Sequence, residues 1–264
     1  MENVRTIVLR AAGINCDLET QHAFELAGSQ AYRVHINRII EDKSTLDGYQ
    51  ILVVPGGFSY GDDVAAGKIL ANQIRHHIFD RLQKFIADGK LVLGICNGFQ
   101  VLVKTGILPA IENESRQESV TITYNDSNKY EDRWVYLKPQ TERCVFIEKG
   151  RQIYLPVAHG EGKIVPKDSQ TLDKLQSGGF VAFKYVDENG NEGGYPVNPN
   201  GSTAAIAGLT DSTGRVLGLM PHPERHIRHT QHPRWTRIKK EIKDENTDGM
   251  TIFSNAVKYI KANL

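Results

Sequence analysis

The segment LVLGICNGFQVL, residues 91–102, changes its periodicity at Cys96. Its first five residues are a short apolar run of the kind that forms a strand covered on both faces of a sheet. From Asn97 to about Thr105 the spacing predicts a helix. Cys96 then falls on the turn at the carboxyl end of a strand, where α/β folds place their sites. Gly94 and Gly98 relieve crowding on either side of it. The amino end of a helix favours an anion and so lowers a thiol's pKa. A nucleophile on a sharp turn from strand to helix is an elbow arrangement. Free cysteine is also among the most buried residue types, so from this segment alone a packed core thiol is the commoner alternative.

Working outward, TIVLRA (6–11) and ILVVPG (51–56) repeat the buried-strand pattern. Between the strands lie helical patterns. One opens on Asp17 as N-cap, carries Glu19 in its first turn and stops at Gly28. A second runs from about Asp63 to Asp88, with Ile69, Ile74, Ile78, Leu82, Phe85 and Ile86 mostly three to five residues apart. The alternation predicts an α/β fold with a doubly wound, mostly parallel sheet. From about Asn113 the pattern becomes short and alternating, in SVTITY, RWVYLK and FVAFKYV, which predicts a small antiparallel extension with half-exposed strands. The stretch DENGNEGGYPVNPNGS (187–202) is too rich in Gly, Asn and Pro for a regular element. After it RVLGLMPHPER returns to the same core, and the tail carries a helical stripe of Ile252, Val257 and Ile260. Residues 1–264 are expected to form a single domain.

The 264 residues have a formal net charge of +1, with 40% hydrophobic and 24% charged residues. No nucleic-acid partner is announced by charge. Cys16, Cys96 and Cys144 are far apart with no CxxC spacing, which argues against a disulfide framework and a zinc knuckle. No run approaches the ~18 apolar residues of a membrane span, and the first residues do not read as a signal peptide. The expectation is a cytoplasmic chain with no membrane partner.

A cysteine nucleophile needs a base. LMPHPER (219–225) offers His222 and Glu224 at the end of another strand, with Pro221 and Pro223 fixing the backbone around the imidazole. Glu224 would orient His222, giving a triad in the chain order Cys, His, Glu. Taken bare, His-Pro-Glu also describes a solvated turn. VVPGGFSYGDD (53–63) puts two glycines after a strand, where backbone N–H groups near Gly57 or Phe58, with that of Asn97, could form an oxyanion hole. Its blander reading is a glycine-rich turn, and no GxGxxG or Walker pattern makes it a phosphate site.

Together these pieces resemble the class I (triad) glutamine amidotransferases, which have a flavodoxin-like fold: a GG turn, a G-x-C-x-G-x-Q elbow and a late His-x-Glu. More narrowly, GINCD, PGGFSYGDDVAAGKI, GICNGFQVL, AHGEGK, NPNGS and MPHPER are similar to the glutaminase subunits of phosphoribosylformylglycinamidine synthases. The resemblance implies that Cys96 attacks the side-chain amide of glutamine, that His222 shuttles protons and that Glu224 holds His222. It places Gln100, His159, Gly160 and Glu161 at the substrate's amino-acid end. It implies no cofactor or metal in this chain, and a synthetase subunit that binds ATP, magnesium and formylglycinamide ribonucleotide. In some bacteria a small third subunit completes the complex. YPVNPNGS and the chain length also resemble the glutaminase domain of the large single-chain synthetases, which leaves the number and type of partner subunits open.

Rival readings attach to the same residues. His222, His226, His229 and His232 suggest a metal box, but Pro223 and Pro233 interrupt the helix that such spacing needs. The last three histidines are expected on the surface or at a synthetase contact. Cys16 lacks an elbow and reads as a small packed residue, although the resemblance puts Asn15, Cys16 and Asp17 near the site or the interface. Cys144 reads as packing. Intracellular cysteine peptidases and stress proteins share the elbow but usually lack the late His-x-Glu. A regulatory module would most simply have lost Cys96, His222 or Glu224. Other amidotransferases share the triad, whereas FSYGDD and NPNGS favour the purine enzyme.

Overall fold

Cys96 follows a strand buried along its whole length, β4 (Leu91–Ile95), and precedes helix α5 (Asn97–Thr105) in the computed structural model of the chain. The structure describes residues 3–111, 118–238, 243 and 247–264. The elements before β4 are β1 (Arg5–Arg10), α1 (Asp17–Leu26), β2 (Gln30–His35), α2 (Ile36–Glu41), β3 (Ile51–Val54), α3 (Lys68–Gln73) and α4 (Phe79–Ala87). After α5 come β5 (Val120–Tyr124), β6 (Glu131–Pro139), β7 (Ile153–His159), β8 (Glu161–Pro166), α6 (Ser169–Ser177) and β9 (Val181–Val186). The chain closes with β10 (Ile206–Thr210), β11 (Val216–Leu219) and α7 (Asp248–Asn263).

Nine strands form one sheet in the order β2-β1-β3-β4-β11-β10-β9-β6-β7. The first five are mutually parallel. The chain moves outward in one direction from β1 to β2 and in the other from β3 to β4. Crossovers of one hand then put α1 and the α3–α4 pair on opposite faces, with the switch point between β1 and β3. Phe24 of α1 and Phe253 of α7 meet edge to face at 5.0 Å. The expected stripe of α7 is buried at Ile252, Val257 and Ile260.

The expected antiparallel extension is present and joins the main sheet directly. β10, β9, β6 and β7 extend the parallel sheet by hydrogen bonding, and β9 is nearly all buried. Among the described residues only β5 and β8 stand apart, as a two-stranded sheet. The onset expected at Asn113 lies outside the described residues. Residues 187–202 contain no helix or strand, yet Asn200 and Ser202 are buried and bond to the Gly162 carbonyl at 2.8 and 3.3 Å.

The helix expected over 63–88 starts only at Lys68, and a π turn at Ile74–Ile78 separates α3 from α4. Leu70, Ile74, Ile78 and Leu82 recur every four residues and all are buried. In a straight α-helix a four-residue spacing drifts by about 40° per step. The wider turn keeps the stripe on the sheet. Asp17 does not cap α1; it is the first helical residue and pairs with Arg10 and Arg33 at 2.9 and 3.3 Å.

Glycine lets α5 lie against the sheet. A Cβ on Gly98 would stand 1.8 Å from the Val54 carbonyl oxygen, one on Gly94 2.6 Å from Leu102, and one on Gly218 2.1 Å from Phe99. Gly98→Ala is expected to destabilise the fold by about 2 kcal/mol or more, because the obstacle is backbone and cannot rotate away. Urea unfolding measures this, and a loss below about 0.5 kcal/mol, the usual size of a neutral surface change, would show that α5 can move off β3.

Candidate active site

The carboxyl ends of β1, β3, β4 and β11 bring the sequence-predicted residues to one place. Cys96 has φ 49° and ψ −107°, a left-handed backbone that an L side chain rarely adopts. Its amide donates to the Leu219 carbonyl at 2.8 Å, which ties the elbow to the end of β11. Its thiol donates to the Ala158 carbonyl at 3.7 Å. The elbow is therefore held by backbone on two sides.

Three residues beyond β11, His222 is fixed by its amide, which donates to the Pro156 carbonyl at 2.8 Å. Its Nδ1 is 2.6 Å from Glu224 Oε1, with both side chains buried. Nδ1–H is the donor to the carboxylate, which leaves Nε2 as the other ring nitrogen. Nε2 and Glu224 Oε2 are buried with no hydrogen-bond partner. Burial by itself pushes the His222 pKa down. The Glu224 charge, Cys96 and contacts with the Cys16 and Cys96 thiols outweigh burial and hold it well above the ordinary histidine value. A Cβ on Gly56 would lie 2.7 Å from the His222 ring, so the first glycine of the GG pair makes room for the imidazole.

The second glycine, Gly57, has φ 138°, and a Cβ there would strike the backbone of residues 13–15. The Phe58 amide, one of the expected oxyanion donors, is occupied: it donates to the Gly13 carbonyl at 2.9 Å. The Asn97 amide stands at the start of α5, where a helical N–H has no partner within its own helix. Among the described residues, no hydrogen bond is donated by the amides of Gly57 and Asn97.

Gln100 Nε2 donates to the Glu161 carbonyl at 2.6 Å, and Asn97 Nδ2 donates to Gln100 Oε1 at 2.9 Å. This joins the elbow helix to the β7–β8 turn that carries His159, Gly160 and Glu161. His159 is buried. Asn125 Oδ1 accepts from its Nδ1 and from the Gly162 amide, while Asn125 Nδ2 donates to the His159 carbonyl. Asn125 is therefore the hub of this turn, and nothing in SVTITYND marks it beforehand. Burial and the nearby His222 push the His159 pKa down to about 3, so the ring is neutral, with its buried Nε2 unpartnered.

Cys16 is not plain packing. It brings a ligand atom to within 4.8 Å of those of His222 and Glu224, and Arg225 Nη2 donates to its Sγ at 3.3 Å. Burial raises its pKa. Among the described residues the histidine box does not assemble: His226 is buried rather than on the surface, meets Trp134 edge to face at 5.1 Å and donates to the Tyr154 carbonyl. His229 is exposed and lies against Trp235. Cys144 is buried, which pushes its thiol up to about 12.

A thiol, an imidazole and a carboxylate at the strand ends of a doubly wound sheet match the general plan of enzymes that cleave acyl groups through cysteine. The model of the CobB/CobQ-like glutamine amidotransferase domain matches residues 3–260. Phosphoribosylformylglycinamidine synthase subunit PurQ of Dehalococcoides mccartyi is 46% identical over 263 residues, covering 99% of each chain. The subunit of that name from Methanococcus maripaludis is 42% identical over 97% of each. A chain in the structure of PurLQS from Thermotoga maritima superposes with a TM-score of 0.73 at 31% identity, over 98% of this chain and 100% of that one. The chain belongs to the CobB/CobQ-like glutamine amidotransferases and, among them, to the PurQ family.

The neutral His159 carries a pH signature. Its folded pKa lies below the unfolded value, so between about pH 6.5 and pH 3 the unfolded chain binds a proton that the folded one refuses. Stability is therefore expected to fall as pH drops through that window, by up to about 5 kcal/mol at ~1.4 kcal/mol per pKa unit. His159→Gln should flatten the acid side of the unfolding free energy measured against pH; an identical slope would show that His159 titrates normally.

Proposed function

We propose that the chain is the glutaminase subunit of phosphoribosylformylglycinamidine synthase. It hydrolyses glutamine and passes ammonia to a synthetase subunit, which uses ATP to convert formylglycinamide ribonucleotide to formylglycinamidine ribonucleotide in purine synthesis. The observation that carries the reading is the buried His222–Glu224 pair beside a left-handed Cys96, on a chain similar to PurQ along its whole length.

Cys96 Sγ attacks the amide carbon of glutamine as its proton passes to His222 Nε2. Glu224 holds the imidazole by Nδ1 and stabilises the imidazolium. The amides of Gly57 and Asn97 receive the oxyanion; Phe58 would have to leave Gly13 to join them. His222 returns the proton to the departing nitrogen, ammonia leaves, and a glutamyl thioester remains. A water deprotonated by His222 then attacks the thioester and releases glutamate. Gln100, His159, Gly160 and Glu161 line the amino-acid end of the substrate.

In this reading the whole chain works as one glutamine amidotransferase domain in the cytoplasm and carries no cofactor or metal of its own. ATP and magnesium belong to the synthetase partner. The Thermotoga maritima neighbour comes from a PurLQS structure, which supports assembly with further subunits, a small third one included. Among the described residues no helix is long and apolar enough to cross a membrane.

The test uses the chain purified with its synthetase and supplied with formylglycinamide ribonucleotide and ATP. Cys96→Ala should lower glutamine-fed amidation by at least about 1,000-fold and spare ammonia-fed amidation, and Glu224→Gln should lower the former by on the order of 100-fold or more. Glutamine-fed activity surviving in Cys96→Ala would place the nucleophile elsewhere. Activity with a different acceptor and none with this ribonucleotide would move the chain to another amidotransferase.

A further inference from the structure

Cys16 stands beside the His222–Glu224 pair and has no part in the proposed chemistry. Its amide donates to the Gly56 carbonyl at 3.3 Å, which fixes it against the GG turn. A Cβ on Gly56 would lie 3.2 Å from Cys16 Sγ and 2.7 Å from the His222 ring. The missing side chain at 56 thus leaves one space that sulfur and imidazole both face. One ligand atom from each of Cys16, His222 and Glu224 lies within 4.8 Å of the other two, and the residues are 1%, 2% and 1% exposed. Glu224 supplies a separate sign of a missing partner. Its Oε1 takes the bond from His222 Nδ1, while its Oε2 is buried without a hydrogen bond among the described residues.

This donor set is selective. Thiolate, imidazole and carboxylate together suit Zn²⁺, whereas Mg²⁺ and Ca²⁺ take oxygen ligands. The charges also balance. A divalent ion offsets the thiolate and the carboxylate, and the Arg225 guanidinium, which donates to Cys16 Sγ at 3.3 Å, is offset by Glu19 at 3.1 Å. Arg225 in addition orients the sulfur, as groups behind a metal ligand do. The way in is short, because Cys16 Sγ donates to Asn15 Oδ1 at 3.3 Å and Asn15 is exposed.

We infer that Cys16, His222 and Glu224 form a binding site for Zn²⁺ as an exogenous inhibitor, which disables the base without touching Cys96. The inhibition rests on the glutaminase reading; the binding does not. Cys16 enters as the thiolate and its proton goes to solvent. Three protein ligands leave the fourth position of a tetrahedral zinc to water. A neutral imidazole has one proton and one lone pair. Metal on Nε2 takes the lone pair that would accept the Cys96 proton. Metal on Nδ1 displaces the proton held against Glu224 and leaves the ring's one proton on Nε2. In either geometry Nε2 cannot accept from Cys96.

Co²⁺ replaces Zn²⁺ in such sites and reports sulfur ligation by a charge-transfer absorption. It is titrated into the full chain, and displacement by Zn²⁺ gives the zinc affinity. The wild type and Cys96→Ala should both show the sulfur band. Cys16→Ser should lose it and bind Zn²⁺ at least about 100-fold more weakly. Glu224→Gln should keep the band and weaken Zn²⁺ binding by about 10-fold or more, which keeps the question answerable if the Cys16 variant does not fold. No band in the wild type, a band that survives in Cys16→Ser, its loss in Cys96→Ala, or an unchanged affinity in Glu224→Gln would overturn the site. In the synthetase complex, Zn²⁺ at about ten times its Kd should lower glutamine-fed amidation about 10-fold, spare ammonia-fed amidation and be reversed by a chelator. Full glutamine-fed activity with the site filled would overturn the inhibition. Glutamine turnover by the metal-free wild type decides the glutaminase reading separately, since its absence overturns that reading and leaves the binding result intact.

Discussion

The site depends on how closely α5 approaches the sheet. Hydrogen at Gly98 is what allows the Val54 carbonyl to touch the first turn of the helix, and Gly94 and Gly218 thin the sheet beneath it. With the helix that close, the chain has one residue in which to turn from the end of β4, and Cys96 takes the left-handed conformation as a result. The same compression brings Asn97 and Gln100 against the β3 loop and the β7–β8 turn. The positions of Cys96, Asn97 and Gln100 are thus consequences of one packing distance.

His222, the proposed base, is positioned differently, by hydrogen bonds and charge. His222 lies two strands from the switch point and is held by Pro156, Glu224 and the void at Gly56. Burying an imidazole next to a carboxylate is costly without pairing, and the short Nδ1 contact supplies it. His159 shows the opposite solution. It has no carboxylate in contact, stays neutral, and bonds to an amide oxygen instead. Two histidines at the same sheet end thereby have their proton affinities moved in opposite directions, for reasons visible in their immediate neighbours.

Much of this was legible in the sequence, and the parts that were not share a cause. β4, α5 and the end of α1 at Gly28 follow local rules of periodicity and punctuation. Cys96, His222 and Glu224 converge because their motifs each follow a strand of one parallel sheet. The edge strand β2 was missed because its charged, half-exposed sequence lacks an apolar run. The π turn in 74–78 compensates a drift that local spacing shows only when the partner sheet is known. Asn125, the charge of His159 and the burial of His226 depend on long-range neighbours: Gly162, His222 and Trp134. The Phe58 amide was assigned to the oxyanion by motif, but the carbonyl of Gly13, forty-five residues earlier, already holds it.

The backbone at Cys96 has a further consequence. A left-handed L residue is less stable than glycine in the same conformation by about 1–2 kcal/mol. The position proposed to carry the nucleophile is therefore one where the fold would be more comfortable with no side chain at all. Random change that improves the stability of this elbow runs toward inactivity. In the proposed mechanism a cysteine persists there only while selection for turnover opposes that drift.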